Sequence, residues 1–360
     1  MNKQDVLTIT RHELVEAISK TVPTIPAPLS VSPWVAMSLL QKAIRRSRVN
    51  LALRAAATLL RDSPDRLWRR SGCVAFEDIG LAHMETVSLV TAALTGKRFR
   101  STLGGEWAVA NFIVSMMARV PKCRAADDLL IVAEQHPAYA VQRREYATLE
   151  TCDLLEIAIG PEPLPVRAIA LWFALGTDRR PSAHLPGRKG EPGAVFDFLC
   201  GSGYPHTLAE IAREAFRKTH EVLCPFVLLL SDQGLHSPPK LADDEPPMET
   251  LIRGIPGWTY DLYSREGHRA LEAFLRRNSA TARWMRTNVP ASKRVQVFGA
   301  AVFRVEGGLV KDRLRWPIGV ELRRAADLEC FGPYCPDGSE LLRLVRSDLP
   351  ALNQVRRHVC

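Results

Sequence analysis

Glu77 and Asp78 stand side by side, and a pair of acids is a common starting point for metal or acid/base chemistry. Neighbours on a helix point in different directions, however, so these two do not converge on one ion unaided. Pairing with Arg69 or Arg70 is the plainer expectation. The densest polar-aromatic stretch runs from Trp258 to Arg269. Aromatic rings beside arginines suit base stacking and phosphate contact, so Trp258, Tyr260, Asp261, Tyr263, Arg265 and His268 form a candidate binding loop. The same residues could instead make a docking loop before a helix capped by Ser264. Asp261, Glu266 and His268 are also the types an acid/base or metal cluster needs, but no second half of a nuclease signature accompanies them. His220 and Cys224, four apart, are expected on one helix face as a packing pair. Cys330 and Cys335 form a C-x4-C pair with no second pair at zinc-site spacing. Gly201-Ser202-Gly203 is too short for a nucleophile elbow. A P-loop needs two glycines and a Gly-Lys-Ser/Thr end to cradle phosphates. At Gly96-Lys97, Thr91 occupies the first glycine's place and Arg98 follows the lysine. The expectation is therefore no catalytic residue, metal or cofactor.

The positive charge is distributed more tellingly. The chain carries 48 Lys and Arg against 39 Asp and Glu, a formal charge of +9. Between Lys42 and Arg70 lie Lys42, Arg45, Arg46, Arg48, Arg54, Arg61, Arg66, Arg69 and Arg70, opposed only by Asp62 and Asp65. That leaves +7 in 29 residues. Such a run can neutralise several phosphates and give salt-sensitive binding, although most charge runs are solvated helix faces. The candidate nucleic-acid contacts are Lys42, Arg45, Arg46, Arg48, Arg69 and Arg70, with Lys97, Arg98 and Arg100 as an extension.

The elements that must position these residues read as helices. Ser32-Pro33 offers an N-cap followed by proline at the first helical position. Met37, Leu40 and Ile44 then fall at helical spacing. Further helices are expected over 50–61, from Pro64 to about Gly80, and over 83–95, 105–120, 122–135 and 137–158, joined by short connections as in a bundle. A short amphipathic helix near Arg11–Lys20 precedes a spacer holding Pro23, Pro26 and Pro28. Residues 175–206 read as Gly/Pro-rich loop, 207–220 and 222–230 as helix, and 232–248 as a linker. Residues 266–287 read as one helix. Residues 292–305 favour helix, though a strand turning at Gly307-Gly308 fits as well. The chain divides into an arm and spacer (1–32), a helical domain (33–158), a second helical region (159–247) and a mostly helical C-terminal region (248–360). The fold class is all-α, with room for a small β-hairpin near the C-terminus. No run approaches the roughly 18 apolar residues a membrane span needs. The polar start, Met1-Asn2-Lys3-Gln4-Asp5, leads into no signal-peptide core, so a cytoplasmic location is expected.

Three segments carry a resemblance. They are Leu40-Gln41-Lys42-Ala43-Ile44-Arg45-Arg46-Ser47, then Trp68-Arg69-Arg70 leading to Ala75-Phe76-Glu77-Asp78-Ile79-Gly80-Leu81-Ala82, and Ala118-Arg119-Val120-Pro121-Lys122-Cys123-Arg124-Ala125. Taken together over about residues 33–135, they resemble the C-terminal helical domain of the RarA/MgsA family of AAA+ clamp-loader-like ATPases. Arg46, Arg48 and Cys123-Arg124 depart from that family's pattern towards a more basic sequence. The ATPase that precedes this domain in the family is not recognisable in the 32 residues before it here. The resemblance implies a homo-oligomer without ATPase activity, acting in replication, recombination or DNA repair. It would touch nucleic acid, and a separate AAA+ ATPase or a replication protein is an expected partner. Two rivals are a protein-interaction adaptor without DNA binding and a metal-dependent nucleic-acid-processing enzyme with its site in 256–270.

Overall fold

The computed structural model describes residues 6–18, 23–179, 182–233, 240–332 and 335–360. The chain starts with α1 (Val6–Ala17), α2 (Pro33–Arg45), α3 (Val49–Asp62) and α4 (Pro64–Val74), the last running into a π-helical turn at Ala75–Ile79. Ser32 caps α2 as its Ser-Pro pair demands, its hydroxyl accepting from Val35 N. Ser63 forms no such cap on α4. On α3 the small residues Ala52, Ala55 and Ala56 are buried with Leu59. Their spacing lays one apolar stripe along the helix. After α5 (Met84–Ala93) and α6 (Lys97–Thr102) comes α7 (Glu106–Arg119), and the α3 stripe packs between α2 and α7.

The 23–32 spacer is not a free arm. Trp107 Nε1 donates to Pro23 O at 2.9 Å, and Leu29 N donates to Thr58 Oγ1 at 2.9 Å. Those bonds hold it on the bundle.

The next elements are α8 (Ala125–Gln135), α9 (Ala140–Glu145), α10 (Thr151–Ile159) and α11 (Leu164–Leu175), so the single helix expected over 137–158 is broken. From Val166 to Leu175 every residue of α11 is buried, which places it at the centre. A helix expected to be loop follows, α12 (Pro192–Gly201), then α13 (His206–Thr219) and α14 (Leu223–Ser231). His220 adopts a left-handed φ of 57° and ends α13, so it and Cys224 of α14 do not share a helix face.

Short strands enter next. β1 (Lys240–Ala242) lies within the expected linker, where residues 234–239, including Pro238 and Pro239, fall outside the described residues. β2 (Leu251–Ile252) and β3 (Ile255–Pro256) form a hairpin turned by Arg253 and Gly254, both at positive φ (50° and 78°). Two positive φ values make the tight turn whose twist matches paired strands. The hairpin is therefore here and not at Gly307-Gly308. The helix expected over 266–287 breaks into α15 (Arg265–Leu275) and α16 (Ala280–Asn288). α17 (Arg294–Val302) meets the helical expectation and runs into a second π-helical turn, Phe303–Gly307. β4 (Arg313–Arg315) pairs antiparallel with β1. α18 (Pro317–Glu329) and α19 (Gly338–Val359) close the chain.

The described residues are thus mainly helical, with two small antiparallel strand pairs. Two apolar cores result. The larger runs from Leu14 to Leu230 and also takes in Ile252, Trp258, Leu314 and, on α18, Leu322 and Ala326. The smaller gathers α15, α16, α17 and α19 around Phe274 and Phe298, whose rings stack at 5.0 Å. No described helix is long and apolar enough to cross a membrane.

Candidate nucleic-acid interface

The three segments that carry the resemblance meet in space. Gln41 and Arg45 on α2, Glu77 and Asp78 in the first π turn, and Arg124 just before α8 form one buried ion cluster. Asp78 accepts from Arg45 Nε at 2.8 Å and Gln41 Nε2 at 3.0 Å, and also from Arg124 Nη1. Glu77 Oε1 accepts from Arg45 Nη2 at 2.6 Å and Arg124 Nη1 at 3.4 Å, while Arg124 Nη2 donates to Asp127. Arg45 Nη1 reaches across to Gly307 O at 2.8 Å. Phe303 lies under both guanidiniums, at 5.2 Å from Arg45 and 5.5 Å from Arg124. Burial pushes the Asp78 carboxyl up, but Arg45 and Arg124 outweigh it and hold it below the usual range. Gly80 makes the assembly possible. Its φ is +47°, and a Cβ there would sit 3.0 Å from Cys123 O. That close approach lets Cys123 N donate to Asp78 O at 2.9 Å.

This geometry corrects part of the sequence reading. Arg45 is buried, and its cluster sets two guanidiniums against three carboxylates, so no positive charge remains for an outside partner. Glu77 and Asp78 pair with Arg45 and Arg124, not with Arg69 or Arg70. Arg70 instead donates to Gln41 Oε1 at 3.3 Å. Lys42 is buried against Asp261, with Nζ 2.5 Å from Oδ2, and Arg100 is buried against Glu106 at 2.7 Å and over the Trp68 ring. A phosphate cannot reach a cation enclosed in this way without breaking the pair. Arg46 is half-buried, stacked 4.9 Å from the Trp258 ring and donating to Glu306 O. Arg48 is exposed but already holds Glu249. Arg69, Lys97 and Arg98 remain as exposed cations of the expected set.

The 258–269 loop is mostly an internal connector. Trp258 and Tyr260 are buried, Trp258 Nε1 donates to Glu249 at 3.0 Å, and Tyr260 O accepts from Arg356 at 2.8 Å. Ser264 does cap α15, its hydroxyl accepting from Gly267 N at 3.1 Å. Asp261 turns inward to Lys42, whereas His268 turns to Glu272 at 3.7 Å. Those two side chains do not converge on a common ion, and no metal-holding group of His, Cys, Asp and Glu occurs among the described residues. Tyr263 and Arg265 alone of that loop's candidates are well exposed. Cys330 is a buried free thiol, and burial pushes it up to about 12.

A different surface carries unspent positive charge. Between Glu272 and Glu306 the chain holds no acid, but it has Arg276, Arg277, Arg283, Arg286 and Arg294, besides Lys293 and an Arg304 that turns inward to Asp327 and Phe331. The α15–α16 corner and the start of α17 bring several of these together. Arg286 Nη1 donates to Leu275 O at 2.8 Å and Arg277 O at 3.0 Å. Arg294 Nη2 donates to Arg286 O at 2.9 Å, and Arg283 Nη1 to Asn278 O at 3.2 Å. Carbonyls at helix ends attract cations, which fixes the guanidiniums there. Arg276, Arg277, Arg283 and Arg286 are exposed. Among the described residues, none of these four nor Arg294 pairs with a carboxylate. Asp348 lies at the start of α16, where the corner turns, and its carboxylate is taken up there by Thr281 N at 2.8 Å. The acid-free run was visible in the sequence. It was overshadowed by the denser run at 42–70, whose neutralising acids lie far along the chain. Comparison of the chain with family models, curated proteins and solved structures returned no match.

Proposed function

We propose that this protein is a non-catalytic, nucleic-acid-associated assembly factor serving replication, recombination or repair. In this reading it self-associates or joins a related ATPase, and it holds nucleic acid at the α15–α16 corner. The single observation that carries the reading is the set of arginines at 276, 277, 283, 286 and 294, gathered at one corner with no carboxylate partner among the described residues. Guanidiniums free of acids offer paired N–H donors that match phosphate oxygens. The buried Arg45–Asp78–Arg124 cluster has a structural part in this reading. It joins the three segments of the RarA-like resemblance to the C-terminal helices.

The test is titration of labelled single-stranded and forked DNA at about 50 and 200 mM salt. Wild type is compared with Arg276→Gln/Arg277→Gln/Arg283→Gln and with Arg69→Gln/Arg98→Gln. Affinity that falls steeply with salt, and a lower salt slope only in the first variant, is the expected result. No binding by wild type at the lower salt overturns the reading. Equal loss in the second variant moves the surface back to the N-terminal helices.

A further inference from the structure

The residues from Asp243 to Glu249 form a strap between β1 and β2, tied down at both ends. Asp244 accepts from Arg313 Nη2 at 2.7 Å and Arg323 Nη1 at 2.6 Å, and its N donates to Val310 O at 3.0 Å. Glu249 is held by Arg48 at 3.1 Å and by Trp258 Nε1 at 3.0 Å. Pro246 and Pro247 have fixed φ and stiffen the span between. What such a strap encloses is preformed, so a ligand entering it pays little to order the chain.

Between the strap, the residues that follow α2 and the 309–311 segment lies a cavity of about 300 Å³. That is the lower end of the range for small-molecule sites. Pro246, Pro247, Trp258, Leu309 and Val310 give it apolar walls. Trp258, Leu309 and Val310 are themselves buried.

The charged groups around the cavity divide into those already paired and those that are not. Asp244 is taken by Arg313 and Arg323, and Glu249 by Arg48. Asp243 meets no cation, its Oδ1 accepting from Asp312 N at 2.8 Å. Neither Arg46 nor the exposed Lys311 has a carboxylate partner among the described residues. Arg46 is the informative one. Its Nη2 donates to Glu306 O, but its Nε is buried without a partner. Burial pulls its guanidinium down to about 10, with the charges of Glu306 and Glu249 only partly opposing. A half-buried guanidinium with idle donors is an ion pair lacking its anion, and the adjoining cavity has room for one.

We infer that the cavity under the 243–249 strap binds a small organic anion, whose carboxylate or phosphate meets Arg46 and whose apolar body lies against Trp258, Leu309 and Val310. Lys311 adds attraction from the solvent side, and Asp243 favours a ligand that also carries a hydrogen-bond donor. None of these residues belongs to the α15–α16 corner, so the site goes beyond the nucleic-acid reading and stands apart from it.

The experiment is isothermal titration calorimetry of the full chain. The probes are indole-3-acetate and phenyl phosphate, each beside its neutral counterpart, indole-3-acetamide or phenol. At least one anion should bind with a Kd below about 1 mM, and at least about tenfold more tightly than its counterpart. Tighter binding of indole-3-acetate makes the ligand a carboxylate, and tighter binding of phenyl phosphate makes it a phosphate ester; either order supports the site. Arg46→Gln should remove the anion's advantage and leave the neutral probe's affinity unchanged, which a collapsed pocket would not do. Lys311→Gln, at an exposed position, should weaken the anion about threefold and decides the matter if Arg46→Gln does not fold. Failure of both anions to bind overturns the inference, as does an anion that binds no better than its counterpart or is indifferent to these changes. Loss of anion binding in Arg276→Gln/Arg277→Gln/Arg283→Gln puts the anion at the α15–α16 corner and overturns it too.

Discussion

Lys42 Nζ lies 2.5 Å from Asp261 Oδ2, a contact across 219 residues of sequence between side chains each only 4% exposed. Burial lowers the Lys42 pKa, working against the attraction of Asp261. Ser38 completes the site, accepting from Nζ at 2.6 Å and donating to Thr259 O at 2.7 Å. An early helix and the loop leading into α15 are thereby clamped together in a place where water cannot substitute for either partner.

Removing one member of this pair leaves a buried charge. Lys42→Met and Asp261→Leu should each cost about 3–5 kcal/mol, whereas the double variant should recover most of that loss. Urea unfolding of the four proteins measures it. Strict additivity would show that the two residues are not coupled.

Arg45→Glu should fail to fold stably. It would put a fourth acid into the cluster of Glu77, Asp78 and Asp127 and leave Gly307 O without its donor. A loss beyond about 4 kcal/mol is expected. Thermal unfolding by circular dichroism should show this, while Arg276→Glu and Arg277→Glu melt within a few degrees of wild type. A well-folded Arg45→Glu protein with weakened DNA binding would restore the surface role read from sequence.

Asp244 accepts from Arg313 Nη2 at 2.7 Å, Arg323 Nη1 at 2.6 Å and Val310 N at 2.9 Å. Burial pushes its carboxyl up, but the Arg313 bond and charge, helped by Arg323, carry it down from 3.8 to about 2. A depressed carboxyl contributes stability that is complete above the unfolded value and lost as pH falls through the folded one. Wild type should therefore lose up to about 2 kcal/mol between pH of roughly 4 and 2 through this group. Asp244→Asn should be less stable at neutral pH and lack that part of the acid slope, as read from denaturant midpoints across the pH series.

Lys122 gives a slope of the same sign at the alkaline end, where its depressed value is a cost rather than a gain. It is fully buried, with Nζ donating to Ala118 O at 3.2 Å and also to Val120 O, and burial lowers it from 10.5 to about 8. A lysine depressed on folding binds fewer protons in the folded than in the unfolded state between those two values. Stability from this group therefore rises with pH across that window. Relative to Lys122→Met, wild type should gain up to about 3 kcal/mol from pH of roughly 8 to 10.5. A difference that stays flat with pH would mean that Lys122 titrates normally.

Much of the local structure was legible in the sequence because its causes are local. Ser32-Pro33 and Ser264 mark helix starts through bonds to backbone three residues away, and both caps form. The apolar spacing of Met37, Leu40 and Ile44 belongs to α2, and α17 forms within the stretch that favoured helix. The breaks at Arg276–Ser279 and around Tyr146–Leu149 were missed, since neither carries proline or glycine to announce it.

The sequence by itself determined the mainly helical class, the placement of most early helices and the overall excess of arginine. Only the tertiary structure decided which arginines are spent. Arg45 and Arg277 are the same residue type in comparably basic runs, yet one is enclosed by Asp78 and Glu77 and the other is exposed with no carboxylate partner among the described residues. The carboxylate that neutralises a cation can lie 33 residues away, as Asp78 does from Arg45, or 219 away, as Asp261 does from Lys42. Burial and charge pairing depend on that long-range meeting, and a local run of letters holds no trace of it.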